Sequence, residues 1–196
     1  MPKTIDSLEV SVRPGTGSTM SGRISNEDHI YFGNAPSTVA EFFTPPTLYE
    51  YFDYDCDYCR QHALEERPWI DTEYVATRKL DIARVFMPMT AWGARMALAA
   101  LCAADQKNFD GMDRLLLTQT PTTETELTGF AKKLGMKSKD FQECMHNSLR
   151  VPIGGQPPGD GPPVERVPAF QIGADRWTGI LPQAELEKHL DQALRQ

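Results

Sequence analysis

The chain has 196 residues, of which 40% are hydrophobic, and its 27 Asp and Glu against 20 Lys and Arg give a formal net charge of −7. This length suits one domain with a substantial core, or one domain that carries an insertion. The acidic balance leaves no basic stripe for a phosphate backbone and argues against nucleic-acid binding. No apolar run approaches the roughly 18 residues that a membrane-spanning helix needs.

The first predicted elements form a βαβ unit. Residues 1–24 are rich in Ser, Thr and Gly without periodicity, which indicates a flexible arm. Residues 47–52 form a short run rich in aromatic side chains, as expected for a central strand covered on both faces. A helix follows that Pro68 should kink, and residues 80–87 form the second strand.

Four short helices are predicted next, in residues 90–148. The first is rich in Ala, Leu and Met, and the third begins at a capping box formed by Thr123 and Glu126 and ends at Gly135. Together they form a cap inserted into the fold. The first, second and fourth of these helices cover residues 91–104, 107–117 and 138–147.

The C-terminal region returns to β structure. Residues 169–172 and 176–178 flank a Gly-Ala-Asp turn as a hairpin, and Pro182 begins a final amphipathic helix. The order βαβ, helical insert, ββα predicts an α/β thioredoxin fold with an inserted helical cap domain. The predicted parts are a flexible arm (1–24), a thioredoxin-fold domain (25–88 and 164–196), an inserted helical domain (89–150) and a Pro/Gly-rich loop (151–163).

The chemistry is predicted at Cys56 and Cys59, which are separated by two residues at the start of a helix. Cysteines at this spacing can close a small disulfide ring, and the helix dipole with its unpaired N–H groups favours a thiolate at the first. Cys56 is therefore the predicted attacking sulfur. Cys59, one turn into the helix and more buried, is predicted to resolve the mixed disulfide between Cys56 and a substrate.

Three landmarks make the sequence resemble the DsbA-like thiol:disulfide oxidoreductases of bacterial cell envelopes over roughly residues 45–195. They are the strand-CxxC-helix, a helical insertion of the right size and place, and Val167-Pro168 directly before the hairpin. The resemblance implies that Pro168 is a cis-proline facing the CxxC and that Val167 presents backbone groups to a substrate chain. It implies no metal or organic cofactor.

Glu50 lies six residues before Cys56, where this family and thioredoxins place a buried acid under the active site. A carboxyl in such a place is expected to have a raised pKa and to relay the proton of Cys59. The alternative is an ordinary strand residue that points to solvent. The aromatic residues on either side of Glu50 make this alternative less attractive.

The dipeptide between the cysteines, Asp57-Tyr58, differs from the Pro-His of strongly oxidising members of the family. It is expected to contact substrate. Histidine favours the thiolate, whereas Asp57, with Asp53 and Asp55 nearby, should oppose it. We therefore predict a Cys56 pKa above the value of about 3.5 found in DsbA, and a less oxidising reduction potential. Tyr58 recurs in isomerase-type relatives, so the direction of net electron flow stays open.

A zinc site is the competing interpretation of the same cysteines, because His62 extends the motif to Cys56-x-x-Cys59-x-x-His62. No second CxxC or His pair completes four ligands, so no metal is predicted. His62 itself is expected to be solvated or partly buried without a role.

Cys102 and Cys144 lie among apolar residues of two cap helices. They are either two buried free thiols or a structural disulfide, as the resemblance to some alphaproteobacterial relatives implies. Met87, Met89 and Trp92 follow the second strand. They form either plain core or an apolar surface for unfolded substrate segments.

The predicted function is that of a monomeric dithiol oxidase, which exchanges disulfides with cysteine-containing substrate proteins and is regenerated by a redox partner protein. A disulfide isomerase or reductase of the same fold is one alternative, and a protein-binding module with a structural CxxC is another. The resemblance implies the bacterial periplasm or cell envelope. Residues 1–30 lack a signal-peptide pattern, so a signal or anchor is expected to be absent from this sequence.

Overall fold

A computed structural model describes residues 29–31, 45–147 and 163–195 of the chain. The flexible arm predicted at residues 1–24 and nearly all of the loop predicted at residues 151–163 lie outside these ranges.

One sheet organises the fold. Its five strands lie in the order first, third, second, fourth, fifth. The third strand is parallel to the first and second, and the fourth is antiparallel to the second and fifth. The second strand is therefore central, as its aromatic sequence predicted. The strands are β1 (His29–Tyr31), β2 (Thr47–Phe52), β3 (Asp81–Phe86), β4 (Ala169–Ile172) and β5 (Asp175–Thr178).

The helical connection between β2 and β3 begins at the cysteine pair. Pro68 was expected to kink it, and the helix changes from π-helical to α-helical hydrogen bonding at Arg67, directly before this proline. Proline has no N–H to donate, so the hydrogen-bond pattern of the helix is interrupted at this place. The connection consists of α1 (Asp57–Gln61), a π-helical segment (His62–Glu66), α2 (Arg67–Ile70) and a second π-helical segment (Asp71–Val75).

The four cap helices form close to where they were predicted, because their end signals are local. Thr123 and Glu126 form the predicted capping box, and Gly135 ends its helix with φ +69°. The second cap helix begins and ends two residues later than predicted. The helices are α3 (Ala91–Ala104), α4 (Phe109–Gln119), α5 (Glu124–Lys133) and α6 (Ser138–Met145), and α7 (Gln183–Ala193) follows the hairpin.

The apolar core has two large parts, one with the cap and one with the last helix, α7. The larger part joins the cap to the cysteine pair, since Phe52, Tyr54 and Cys59 pack with the buried faces of α3, α4, α5 and α6. The other large part lies between β2, β4 and α7, where Leu48, Phe170 and Leu190 are buried together. The buried member of the CxxC pair therefore belongs to the core of the cap.

A disulfide joins Cys102 of α3 to Cys144 of α6 in the cap. These cysteines therefore form a structural disulfide and are not two buried free thiols. Its loop spans 42 residues, for which chain entropy gives about 4 kcal/mol of stabilisation. The double variant Cys102→Ser/Cys144→Ser is expected to lower the free energy of unfolding by roughly 2–4 kcal/mol in a urea titration. A loss below about 0.5 kcal/mol would show that the bridge does not stabilise the cap.

Candidate active site

The geometry of the cysteine pair follows from the helix that it opens. Cys56 is the N-cap of α1 with extended backbone, and its sulfur accepts a hydrogen bond from the Cys59 N–H at 3.2 Å. Cys56 is partly exposed, Cys59 is fully buried, and both are free thiols in this structure. The exposed and buried positions match the predicted attacking and resolving roles.

The two thiols differ sharply in acidity. The hydrogen bond with Cys59 lowers the pKa of Cys56 to about 7, helped by the backbone N–H groups of Cys59 and Tyr58 and opposed by burial and the charge of Asp53. Burial, and then the hydrogen bond to Cys56, raise the pKa of Cys59 far above its usual value. Near neutral pH one sulfur ionises while the other keeps its proton. The Cys56 pKa lies above about 3.5, as predicted.

Val167 and Pro168 lie against the exposed cysteine. The peptide bond between them is cis, and the Cys56 thiol donates to the Val167 carbonyl oxygen at 3.6 Å. The fold thus brings together residues more than 100 positions apart in the sequence. Tyr58, two residues after Cys56, is 66% exposed.

The carboxylate that raises the pKa of Cys56 is that of Asp53. The sequence analysis named Asp57 for this effect, with Asp53 and Asp55 nearby, but the Asp57 side chain is exposed and paired with Arg60. Because solvent screens an exposed, paired carboxylate, its influence on a neighbouring thiol is small.

Glu50 is buried, as predicted, and only 2% exposed, but the expected direction of its pKa shift is wrong. Burial alone would raise the pKa of Glu50, yet the hydrogen bond and charge of His62, together with the charge of Arg84, hold it below its usual value. The His62 Nε2 lies 3.0 Å from one Glu50 oxygen, and the Arg84 Nε lies 3.7 Å from the other.

His62 was expected to be solvated or partly buried, but it is buried between two carboxylates. Its Nδ1 lies 2.7 Å from Glu66 and its Nε2 binds Glu50, so both ring nitrogens are engaged away from the cysteines. Burial would lower the pKa of His62, but these carboxylates raise it to about 9. The zinc interpretation therefore loses its third ligand. The i,i+4 spacing of His62 and Glu66 was the available signal.

Arg84 extends this buried network into the cap. Its Nη1 lies 2.5 Å from Asp113 on α4, which also accepts a hydrogen bond from the Tyr54 hydroxyl at 2.5 Å. The Arg84 guanidinium stacks over the Phe52 ring, 4.6 Å from its centroid. The network thus joins strands β2 and β3 to a cap helix beneath the cysteine pair.

The three apolar residues after β3, Met87, Met89 and Trp92, were interpreted either as plain core or as an apolar surface for substrate segments, and they differ in exposure. Met89 is 51% exposed, whereas Met87 and Trp92 are partly buried and pack against the core. The Trp92 indole N–H also donates to the Pro121 carbonyl at 2.8 Å. Of these three residues, only Met89 has a largely exposed side chain.

Solved structures with the same architecture are DsbA-like. The chain resembles alpha-DsbA1 from Wolbachia pipientis (14% identity, TM-score 0.62, covering 88% of this chain and 93% of that one). It also resembles oxidised BdbD from Bacillus subtilis (16% identity, TM-score 0.62, 87% and 100% covered). A third similar structure is a thioredoxin-like oxidoreductase from Silicibacter pomeroyi DSS-3 (19% identity, TM-score 0.59, 78% and 88% covered). These likenesses confirm the predicted thioredoxin fold with a helical insertion.

The family model described as Thioredoxin matches residues 33–192, and the chain belongs to this family. None of the curated proteins compared with the chain matches it. Family membership and a CxxC pair at a helix N-terminus together make the protein a thiol:disulfide oxidoreductase, as predicted.

Proposed function

We propose that the protein is a dithiol oxidase that accepts electrons from pairs of cysteines in substrate proteins. The observations that carry this proposal are the place of Cys56 at the N-cap of α1, where the Cys59 N–H donates to its sulfur, and the Cys102–Cys144 disulfide, which indicates an oxidising compartment. A stabilised thiolate favours the reduced form of the pair, which makes its disulfide the more oxidising partner. The Cys56 pKa of about 7 is near that of thioredoxin and above that of DsbA, so an oxidant weaker than DsbA is expected.

In the proposed reaction a substrate thiolate attacks the Cys56 sulfur of the Cys56–Cys59 disulfide. The bond between the two cysteines breaks, Cys59 leaves as a thiolate and takes up a proton, and a mixed disulfide remains on Cys56. A second substrate thiolate then attacks this mixed disulfide and releases the Cys56 thiolate. Two electrons pass from the substrate to the pair, and a redox partner protein removes them.

The proposed substrate site surrounds Cys56. An extended substrate segment would lie along Val167 and Pro168, since the Val167 carbonyl oxygen is 3.6 Å from the Cys56 sulfur. Asp57 and Tyr58, both exposed, would contact its flank. We propose that one copy of the chain suffices for this reaction, which light scattering of the purified protein checks.

We also propose that the protein works in the bacterial periplasm or cell envelope. The Cys102–Cys144 disulfide supports an oxidising compartment. A similar structure, 18% identical with a TM-score of 0.53, is described as a periplasmic thioredoxin-like protein from Salmonella enterica. In the part of the chain that the structure describes, no helix has the length and apolarity to cross a membrane.

The test is the reduction potential against glutathione, measured beside rates of dithiol-peptide oxidation and insulin reduction. We expect a potential between about −120 mV, the value of a strong oxidase, and about −200 mV. Peptide oxidation should then be faster than insulin reduction. A potential near −270 mV would indicate a thioredoxin-like reductase instead. Rapid repair of scrambled disulfides, with slow peptide oxidation, would indicate an isomerase.

A further inference from the structure

Two carboxyl groups are buried near the cysteine pair, and their partners differ. Glu50 and Asp53 are each 2% exposed. Glu50 faces His62 and Arg84, two cations that favour its charged form. The Asp53 carboxylate accepts hydrogen bonds from backbone N–H groups, that of Asp55 at 3.0 Å and that of Met89 at 2.7 Å. Of the two acids, Asp53 has the environment that is more compatible with carrying a proton.

Asp53 also contacts the cysteine pair directly through its backbone. Its carbonyl oxygen accepts from the Cys56 N–H at 3.3 Å, and a hydrogen bond donated by its backbone lowers the pKa of the Cys59 thiol. The charge of its carboxylate acts on both thiols. Glu50, by contrast, lies three residues earlier in β2, and its carboxyl oxygens lie against His62 and Arg84.

The cap leaves space for this carboxylate. Gly93, in the first turn of α3, lies so close that a Cβ atom on it would stand 2.0 Å from the Asp53 Oδ1. Any side chain at position 93 would displace the carboxyl group. The start of α3 is thus shaped to hold a buried acid against the end of β2.

We propose that Asp53, rather than Glu50, exchanges the proton with Cys59 during disulfide exchange. This inference rests on the proposed oxidase function. When substrate attacks Cys56 and the disulfide bond breaks, the Asp53 carboxyl gives its proton to the departing Cys59 thiolate. In the reverse direction the Asp53 carboxylate accepts the Cys59 proton as that sulfur attacks Cys56 and displaces the substrate thiolate. The electrons move only between sulfurs.

The charges around Asp53 fit this role. Burial raises its pKa, the two backbone N–H groups lower it, and among the charged side chains Asp55 raises it while Arg60 lowers it. Its carboxylate in turn raises the pKa of both thiols, Cys56 and Cys59. An acid whose pKa moves towards neutrality is better matched to proton exchange than Glu50, whose pKa moves away from it.

The test compares Asp53→Asn with Glu50→Gln in the full chain. Reduced protein is mixed with oxidised glutathione, and quenched samples separate attack by Cys56 from ring closure by Cys59. For Asp53→Asn we expect closure to be at least about tenfold slower, within the usual range of general acid–base catalysis. Attack by Cys56 should be unchanged or faster, because loss of the Asp53 charge lowers the Cys56 pKa. Thiolate absorbance measures this pKa. Asp110→Asn is the matched control, since it removes an exposed carboxylate from the cap helix α4, and each step should change less than about threefold.

Three outcomes would overturn the assignment. Equal slowing of both steps in Asp53→Asn would indicate a structural role for Asp53. If closure is slowed in Glu50→Gln and not in Asp53→Asn, the proton exchange belongs to Glu50. If Asp53→Asn does not fold, the pH dependence of ring closure is measured in Glu50→Gln instead. The proposal requires the wild-type pH profile in this variant, and a changed profile would overturn it. A wild-type protein that forms no mixed disulfide would instead refute the proposed function.

Discussion

Cys56→Ser is expected to abolish disulfide exchange, whereas Cys59→Ser is expected to accumulate mixed disulfides with substrate proteins. The thiolate is the nucleophile, and a serine hydroxyl does not ionise near neutral pH, so the first change should lower the rate by about 1,000-fold or more. The second change leaves the Cys56 thiolate intact but removes the sulfur that closes the ring. Non-reducing gels of cell extracts, repeated with reductant, detect the trapped species.

The same pair of variants separates an enzyme from a protein-binding module. A module with a structural CxxC would keep its partners in Cys56→Ser and would form no disulfide-linked complexes in Cys59→Ser. The double variant Cys102→Ser/Cys144→Ser is the control, because its bridge lies in the cap and it should retain exchange activity. Unaltered peptide oxidation by Cys56→Ser would contradict the assignment of the attacking sulfur.

The elements that sequence predicted well are those specified by neighbouring residues. The aromatic run of β2, the CxxC at the start of α1 and the capping box at Thr123 each depend on a few adjacent side chains. β1 (His29–Tyr31) was not predicted, because three residues carry little periodicity and the strand is defined by its pairing with β3.

The electrostatics of the site could not be predicted, because they depend on which distant groups meet. The sequence placed an acid at Glu50 but did not show that His62 and Arg84 would lie against it and hold its pKa below the usual value. It also counted three aspartates near Cys56 without showing that only one of them, Asp53, is buried. Burial decides which carboxylate acts strongly on a thiol.

The buried His62 should make the stability of the oxidised protein depend on pH in the alkaline range. Its pKa is about 9 in the folded chain against 6.5 for the ordinary group. The folded state therefore binds the proton more tightly, and the stabilisation is complete below about pH 6.5 and disappears as the pH rises through 9. The shift corresponds to about 3 kcal/mol. Urea unfolding at pH 6.5 and pH 9.5 should show a loss of this size.

The oxidised form is required for this measurement because Cys56 has the opposite linkage. Its pKa falls from 9.0 to about 7 on folding, so the reduced protein gains stability between these pH values and masks the effect of His62. His62→Gln should be less stable at pH 6.5 and should lack the alkaline loss. His189→Gln, which changes a partly exposed histidine of α7 that is paired with Asp175 of β5, should retain it. An alkaline loss of equal size in His62→Gln would assign the titration to another group and remove the charged histidine from the network under the active site.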